Sequence, residues 1–237
     1  MSSGLGTAGT GQPSLEPEGN QPATLIHRPA SYVERLEWSG LFLLPQPLEV
    51  ELGSGDGSFL AQYAKEHPER NFIGVERLLG RLRKLDRKGQ RAKLQNLRLI
   101  RLEAAYLVEY LLPGGSVAAL HVYFPDPWPK RKHRKNRLIN ERFAELSQQA
   151  LVEGGVVYLR TDDADYFGQM IRVFTANPNF KAVETPASLS GTVTDFERNF
   201  NLRGVPTLRA AYQLLGQTSI TGPPPPLSSR SGGGGGG

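Results

Sequence analysis

The chain has 237 residues, 38% of them hydrophobic, a formal net charge of +5 and no cysteine. This length supports one sizeable core plus tails. The missing thiols exclude disulfides, zinc–thiolate sites and cysteine nucleophiles, and make the cytosol the expected compartment.

Residues 1–23 are rich in Gly, Ser, Thr and Pro, with neither a cationic start nor an apolar centre. They do not have the pattern of a signal peptide and are expected to be a disordered tail. The folded domain is expected over 24–216. Beyond it, Pro223 to Pro226 and the glycines from Gly232 to Gly237 lack the apolar content to offset ordering entropy, so 217–237 is expected to be flexible. No run approaches the ~18 apolar residues of a membrane span, and none is expected.

Within the domain, short apolar runs alternate with helical periodicity, which predicts an α/β fold whose mostly parallel sheet carries helices on both faces. Strands are predicted at 48–52, 72–76, 97–102, 117–124 and 156–160. Between them, helices are predicted at 58–67, 77–93 (interrupted or ended near Gly89), 105–112 and 138–151, the last stopped by Gly154-Gly155 acting as a C-cap. A helix at 166–176 follows, and 180–184 with 207–214 should close the sheet as an antiparallel pair. Charge is uneven along this pattern. Residues 77–101 hold ten Lys or Arg against one acid, and 130–137 hold six against none. Such clustering suits a polyanion such as RNA, or simply a solvated helix face.

The first strand-to-helix turn reads Glu51-Leu52-Gly53-Ser54-Gly55-Asp56-Gly57. Gly53 and Gly55 permit positive φ and let a ligand approach the backbone closely. The pyrophosphate fingerprint G-x-G-x-x-G is not met, because Ser58 stands where its third glycine belongs. S-adenosylmethionine, which carries no phosphate, fits better than a nicotinamide dinucleotide. Glu51 is placed to engage its ammonium group, Glu76 at the end of the second strand to meet ribose hydroxyls, and Glu103 after the third to accept from the adenine amino group. No metal cluster is expected.

After the fourth strand comes Phe124-Pro-Asp-Pro-Trp-Pro-Lys130. Three prolines hold the loop stiff, so Asp126 projects beyond a strand's carboxyl end, where open α/β sheets place their ligands. It is the candidate catalytic residue. Trp128 is either a stacking platform for an extruded base or core beneath the loop. Lys130, Arg131, Lys132, Arg134, Lys135 and Arg137 are candidate phosphate contacts. Asp162, ending the fifth strand, can converge on the same pocket, and Thr194 with Glu197 offers a donor and an acceptor for a purine edge.

Taken together, the glycine turn, Gly74-Val75-Glu76, the proline loop, Thr161 to Tyr166 and Thr194-Asp195-Phe196-Glu197 closely resemble the bacterial tRNA (guanine-N7-)-methyltransferase family over about residues 48–214. The resemblance implies a class I, Rossmann-like methyltransferase with a seven-stranded sheet. It further implies S-adenosylmethionine held near Glu51, Gly53, Gly55, Glu76, Glu103 and Asp126, and guanine at position 46 of the tRNA variable loop as substrate. By motif match, Lys130, Asp162, Thr194, Asp195, Phe196 and Glu197 fall where the family binds that substrate. The family usually carries Asp at the position of Glu103. Its members often carry a basic cluster before the first strand, where this chain has only Arg28 and Arg35. No obligate protein partner is expected, and a monomer is. Three other readings remain open: an NAD-dependent oxidoreductase, a non-catalytic RNA-binding module on a vestigial methyltransferase fold, and a methyltransferase of another substrate.

Overall fold

The computed structural model describes residues 24–192, 197–198 and 202–216. The expectations for both tails and for Thr194, Asp195 and Phe196 lie outside these residues. The strands are β1 (Ile26–His27), β2 (Leu48–Leu52), β3 (Asn71–Val75), β4 (Leu97–Ile100), β5 (Val117–Tyr123), β6 (Leu151–Thr161), β7 (Phe180–Val183) and β8 (Leu208–Leu214). They form one sheet in the order β1-β4-β3-β2-β5-β6-β8-β7. All neighbours from β1 to β6 run parallel, and β8 lies antiparallel to both β6 and β7, the closing pair expected.

Among the described residues the count is eight rather than the seven expected. Ile26 and His27 pair with Leu99 and Ile100, a two-residue strand too short to show any periodicity. It is seated by Asp86 Oδ1, which accepts from Leu25 N at 2.8 Å.

The helices are α1 (Leu60–Glu66), α2 (Leu79–Arg91), α3 (Ala104–Tyr106), α4 (Glu141–Ala150), α5 (Ala164–Ala176) and α6 (Ala187–Gly191). Helix α2 runs through Gly89, which lies buried where an added Cβ would come within 2.4 Å of Leu25 Cδ1. That glycine is a packing necessity rather than a break. After α3 the chain widens into one π-type turn, closed by Leu112 N donating to Leu107 O at 2.9 Å. Asn140 and Asp163 cap α4 and α5 by accepting from Phe143 N and Tyr166 N, as short polar side chains at that position do.

One expectation fails at Gly154-Gly155, which do not cap the helix. α4 ends at Ala150, and β6 begins at Leu151 with no intervening loop. The glycines serve a bulge: Val117 pairs with Leu151, and the next registered pair is Ala119 with Val156. Gly154 takes φ +75° there, and a Cβ on Gly155 would sit 2.9 Å from Val152 O. Bulges of this kind bend a strand and re-aim its side chains.

Alternation along the strands divides the sheet into two unlike faces. Val50, Leu52, Leu120, Val122, Val157 and Leu159 pack against α4, α5 and the wide turn in the larger apolar core. On the other face, beneath α1 and α6, lie Glu49, Glu51, His121 and Arg160, all buried.

Candidate active site at the carboxyl edge of the sheet

Five adjacent strands each deliver an acid to one edge. In spatial order these are Glu103 after β4, Glu76 after β3, Glu51 in β2, Asp126 after β5 and Asp162 after β6. This is the edge at which open α/β sheets bind ligands. Parallel register makes the convergence possible although the residues are far apart in the chain: Glu51 pairs with His121, and Tyr123 with Arg160.

The glycine turn is anchored from below, because Gly53 N and Ser54 N both donate to Val75 O at 2.9 Å. Gly53 and Gly55 have φ of +85° and +56°, and a Cβ built on either would meet nothing within 4 Å. Their backbone therefore borders open space while adopting a conformation that glycine enters without strain. Gly57, by contrast, is filled by Leu85 of α2. Glu76 binds the turn directly. Its Oε2 accepts from Gly55 N at 3.2 Å and its Oε1 from Leu78 N at 2.8 Å, which leaves each oxygen a further lone pair.

Glu51 is 3% exposed, and its Oε2 has no hydrogen-bond partner among the described residues. Burial raises its pKa to about 8. The charge of Arg160 opposes the rise, while those of Asp56 and Glu76 add to it. A buried, unpartnered carboxylate beside an open glycine turn fits the cationic amino-acid end of S-adenosylmethionine, which would supply the missing partner and charge. Glu103 is exposed and caps α3, its Oε2 accepting from Tyr106 N at 2.8 Å.

Asp126 is exposed and makes no hydrogen bond or ion pair among the described residues. The loop that carries it is fixed at both ends. Phe124 N donates to Arg160 O at 2.8 Å, and Pro127 O accepts from Arg137 Nε at 2.8 Å. Phe124 and Trp128 adopt φ of +50° and +44°, a left-handed geometry that bulky side chains avoid and that persists only when its surroundings impose it. Trp128 is half-buried, its ring 5.9 Å from that of His133 in an edge contact. Asp162 is half-buried one residue beyond β6.

The basic run after the loop forms a 3₁₀ turn over Arg131–Asn136. Lys130, Arg131, Lys132, Arg134 and Lys135 are exposed, although Arg134 also pairs with Asp165 at 3.1 Å. Arg137 departs from its expected role as a phosphate contact. It is 2% exposed, donates to Asp165 Oδ2 at 2.6 Å and Gln169 Oε1 at 2.9 Å, and lies over the Tyr166 ring. It locks the loop to α5.

Glu197 is likewise not at the opening. It is fully buried, one oxygen accepting from Arg160 Nη1 at 2.9 Å and the other from Arg209 Nη2 at 2.7 Å. Arg160 also donates to Thr192 O at 3.0 Å and to Leu189 O, and its guanidinium lies 4.2 Å from the centre of the Tyr123 ring. It thus fastens the segments on either side of 193–196 to the acid-lined edge. Sequence reasoning passed over Arg160 as a strand terminus. The available signal was its alternation: Val157 and Leu159 belong to the apolar face, which sends Arg160 to the other.

The arrangement finds its likeness among known proteins. A family model described as "Putative methyltransferase" matches residues 45–210. The tRNA (guanine-N(7)-)-methyltransferase of Aliivibrio fischeri is 34% identical over 155 residues, 65% of this chain and 65% of that one. Its counterparts in Rubrobacter xylanophilus and Alkalilimnicola ehrlichii are 35% and 32% identical. They cover 70% and 83% of this chain, and 74% and 84% of their own lengths. The chain thus spans just under two thirds of the first of these relatives. Among solved structures, the 16S rRNA methyltransferase KamB superposes with a TM-score of 0.52 at 16% identity over 72% of this chain and 89% of that one, a likeness of fold.

Proposed function

This chain belongs to the tRNA (guanine-N7-)-methyltransferase family, and from that premise we propose that it uses S-adenosylmethionine to methylate N7 of the guanine at position 46 in the tRNA variable loop. The observation that carries the proposal is the buried, unpartnered Glu51 oxygen beside the open Gly53–Gly55 turn, with Asp126 held at the end of the neighbouring strand.

The cofactor, when bound, supplies an electrophilic methyl group on a sulfonium. Guanine N7 presents an in-plane lone pair and loses no proton on methylation, so the chain needs no strong general base. Its work is alignment and charge. Glu51 takes the cofactor's ammonium, Glu76 the ribose hydroxyls and Glu103, through the oxygen not used in its helix cap, the adenine edge. Asp126 accepts from guanine N–H donors and favours the positive charge that develops on the purine. Trp128 offers a face on which a displaced base can stack. Asp162 meets the purine's other side, Thr194, Asp195 and Phe196 are further substrate contacts by motif match, Glu197 serves from the core through Arg160 and Arg209, and Lys130 begins the phosphate-binding turn.

Among the described residues no helix is long and apolar enough to cross a membrane. A cytoplasmic monomer acting on tRNA is the form we propose. The test is incubation of the purified chain with tRNA bearing a variable-loop guanosine and methyl-labelled S-adenosylmethionine, followed by nucleoside mass spectrometry. Label in 7-methylguanosine at position 46, absent with Asp126→Ala, is expected. Label in another nucleoside, or cofactor binding without transfer, would overturn the assignment.

A further inference from the structure

The cations of this protein fall into two populations. Arg70, Arg137, Arg142, Arg160 and Arg209 each hold a carboxylate. Those of α2 do not. The helix buries Leu82, Leu85 and Gly89 and turns Arg81, Arg83, Lys84 and Arg87 to solvent, where none of the four makes an ion pair among the described residues. The one acid of α2, Asp86, faces the amino-terminal segment, accepting from Leu25 N and Thr24 Oγ1. Lys88, on the flank, is taken by Asp56 at 3.3 Å.

Like charges three and four residues apart repel and weaken a helix. The chain nevertheless keeps four of them uncompensated along one exposed helix face. At its upper end the stripe meets further exposed cations. Arg77, Arg101 and Arg28 lie just past the carboxyl ends of β3, β4 and β1, which are neighbours in the sheet, and Arg101 Nε donates to Arg77 O at 3.3 Å. A continuous cationic surface therefore flanks the acid-lined edge on the side opposite the 130–135 turn.

We propose that the outer face of α2, continued by Arg77, Arg101 and Arg28, is a second track for the ribose-phosphate backbone of the substrate RNA, so that the RNA is gripped on both sides of the cleft. Fixed unpaired cations recognise a polyanion by releasing its condensed counterions, which makes the track measurable as salt dependence. That the RNA is tRNA rests on the function proposed above; the track itself rests on charge and exposure.

The test measures binding of tRNA to the full chain by fluorescence anisotropy across a salt series, without turnover. It compares wild type with the triple variant Arg81→Gln, Lys84→Gln, Arg87→Gln. A control triple, Lys65→Gln, Arg172→Gln, Lys181→Gln, removes the same charge from exposed positions elsewhere. The α2 triple should lower the slope of log affinity against log salt by roughly 0.7–0.9 for each phosphate it no longer neutralises. It should also weaken tRNA binding tenfold or more at low salt, with cofactor affinity and kcat at saturating tRNA unchanged. The control should behave as wild type.

An α2 triple whose tRNA binding matches the control would overturn the track, and that triple's loss of binding to phosphatidylserine vesicles, measured in parallel, would then assign the face to an anionic membrane instead. A wild type that binds tRNA with a steep slope that the α2 triple reduces, yet methylates no guanine, would defeat the function while upholding the track.

Discussion

The face of the sheet beneath α1 and α6 has a lower and an upper half, and two glutamates on one strand separate them. At the lower end Glu49 is 1% exposed and fully partnered. Its Oε2 lies 2.7 Å from His121 Nε2, its Oε1 accepts from Arg70, and His121 Nδ1 sits 2.8 Å from the Tyr123 hydroxyl. Two residues on, Glu51 is as deeply buried and has one oxygen with no partner among the described residues. Burial alone would raise both pKa values. For Glu49, bonds and charge from His121 and Arg70 more than offset it and the pKa ends lowered, whereas Glu51 is left at about 8. Same strand, same side-chain chemistry, opposite outcome: a buried acid whose partners are all supplied by the chain is structure, and one whose partner is missing is a candidate for binding.

The comparison breaks most severely at the lower end. His121→Phe keeps the ring volume but leaves Glu49 with only Arg70, and removal of one partner from a buried pair costs about 3–5 kcal/mol. Urea titration should show that destabilisation, while cofactor affinity of the folded fraction stays as in wild type; a large change in affinity would erase the distinction between the halves. Asp126→Asn, at the upper edge, should do the reverse. We expect kcat to fall ~10²–10³-fold, the range for removing one preorganised electrostatic contact, with the urea midpoint unmoved. Wild-type turnover would sink the charge-based part of its role. Glu51→Gln should weaken cofactor binding roughly tenfold to a hundredfold, as for a hydrogen bond to a charged group of ~1.5–3 kcal/mol, read by calorimetry.

The smallest effects concern pH. Because Glu51 keeps its proton in the fold to about pH 8, the unfolded chain releases a proton first as pH rises from near 4.5. The cofactor-free protein should therefore lose stability over that window, and Glu51→Gln should flatten the decline. Cofactor affinity should climb over the same range as the carboxylate ionises. Glu49 has the opposite sign: its contribution is present above its unfolded pKa and disappears as pH falls through the lowered folded value. A stability profile identical in wild type and Glu51→Gln would remove the basis for treating the two acids differently.

Much of this was legible in the sequence because it was local. The glycine turn, the stiff proline loop and the alternating strands each declare themselves within ten residues, and all five acids at the edge were placed there by strand ends alone. What stayed hidden depended on pairing across the fold. Gly154-Gly155 looks like a helix stop until β6 is seen to begin at Leu151 and need a bulge. Arg137 reads as one more cation of a basic run, yet Asp165 and Gln169, 28 and 32 residues later, draw it inside. Glu197 sits in a substrate-like motif, but Arg160 and Arg209, paired in antiparallel register, claim both its oxygens. A side chain's partners decide between surface and core, and those partners were nowhere near it in the chain.

The left-handed backbones of Phe124 and Trp128 carry a warning for anyone engineering this protein. Any scheme that ranks positions by backbone comfort will nominate Phe124→Gly and Trp128→Gly early, since glycine occupies that region without a steric penalty. Those two residues are the gateposts of Asp126. Either change would strip an aromatic side chain from its packing, Phe124 from the core beneath α1 and Trp128 from His133, besides setting the carboxylate loose, so a thermostable variant of this chain is best sought on the helices over the larger apolar core.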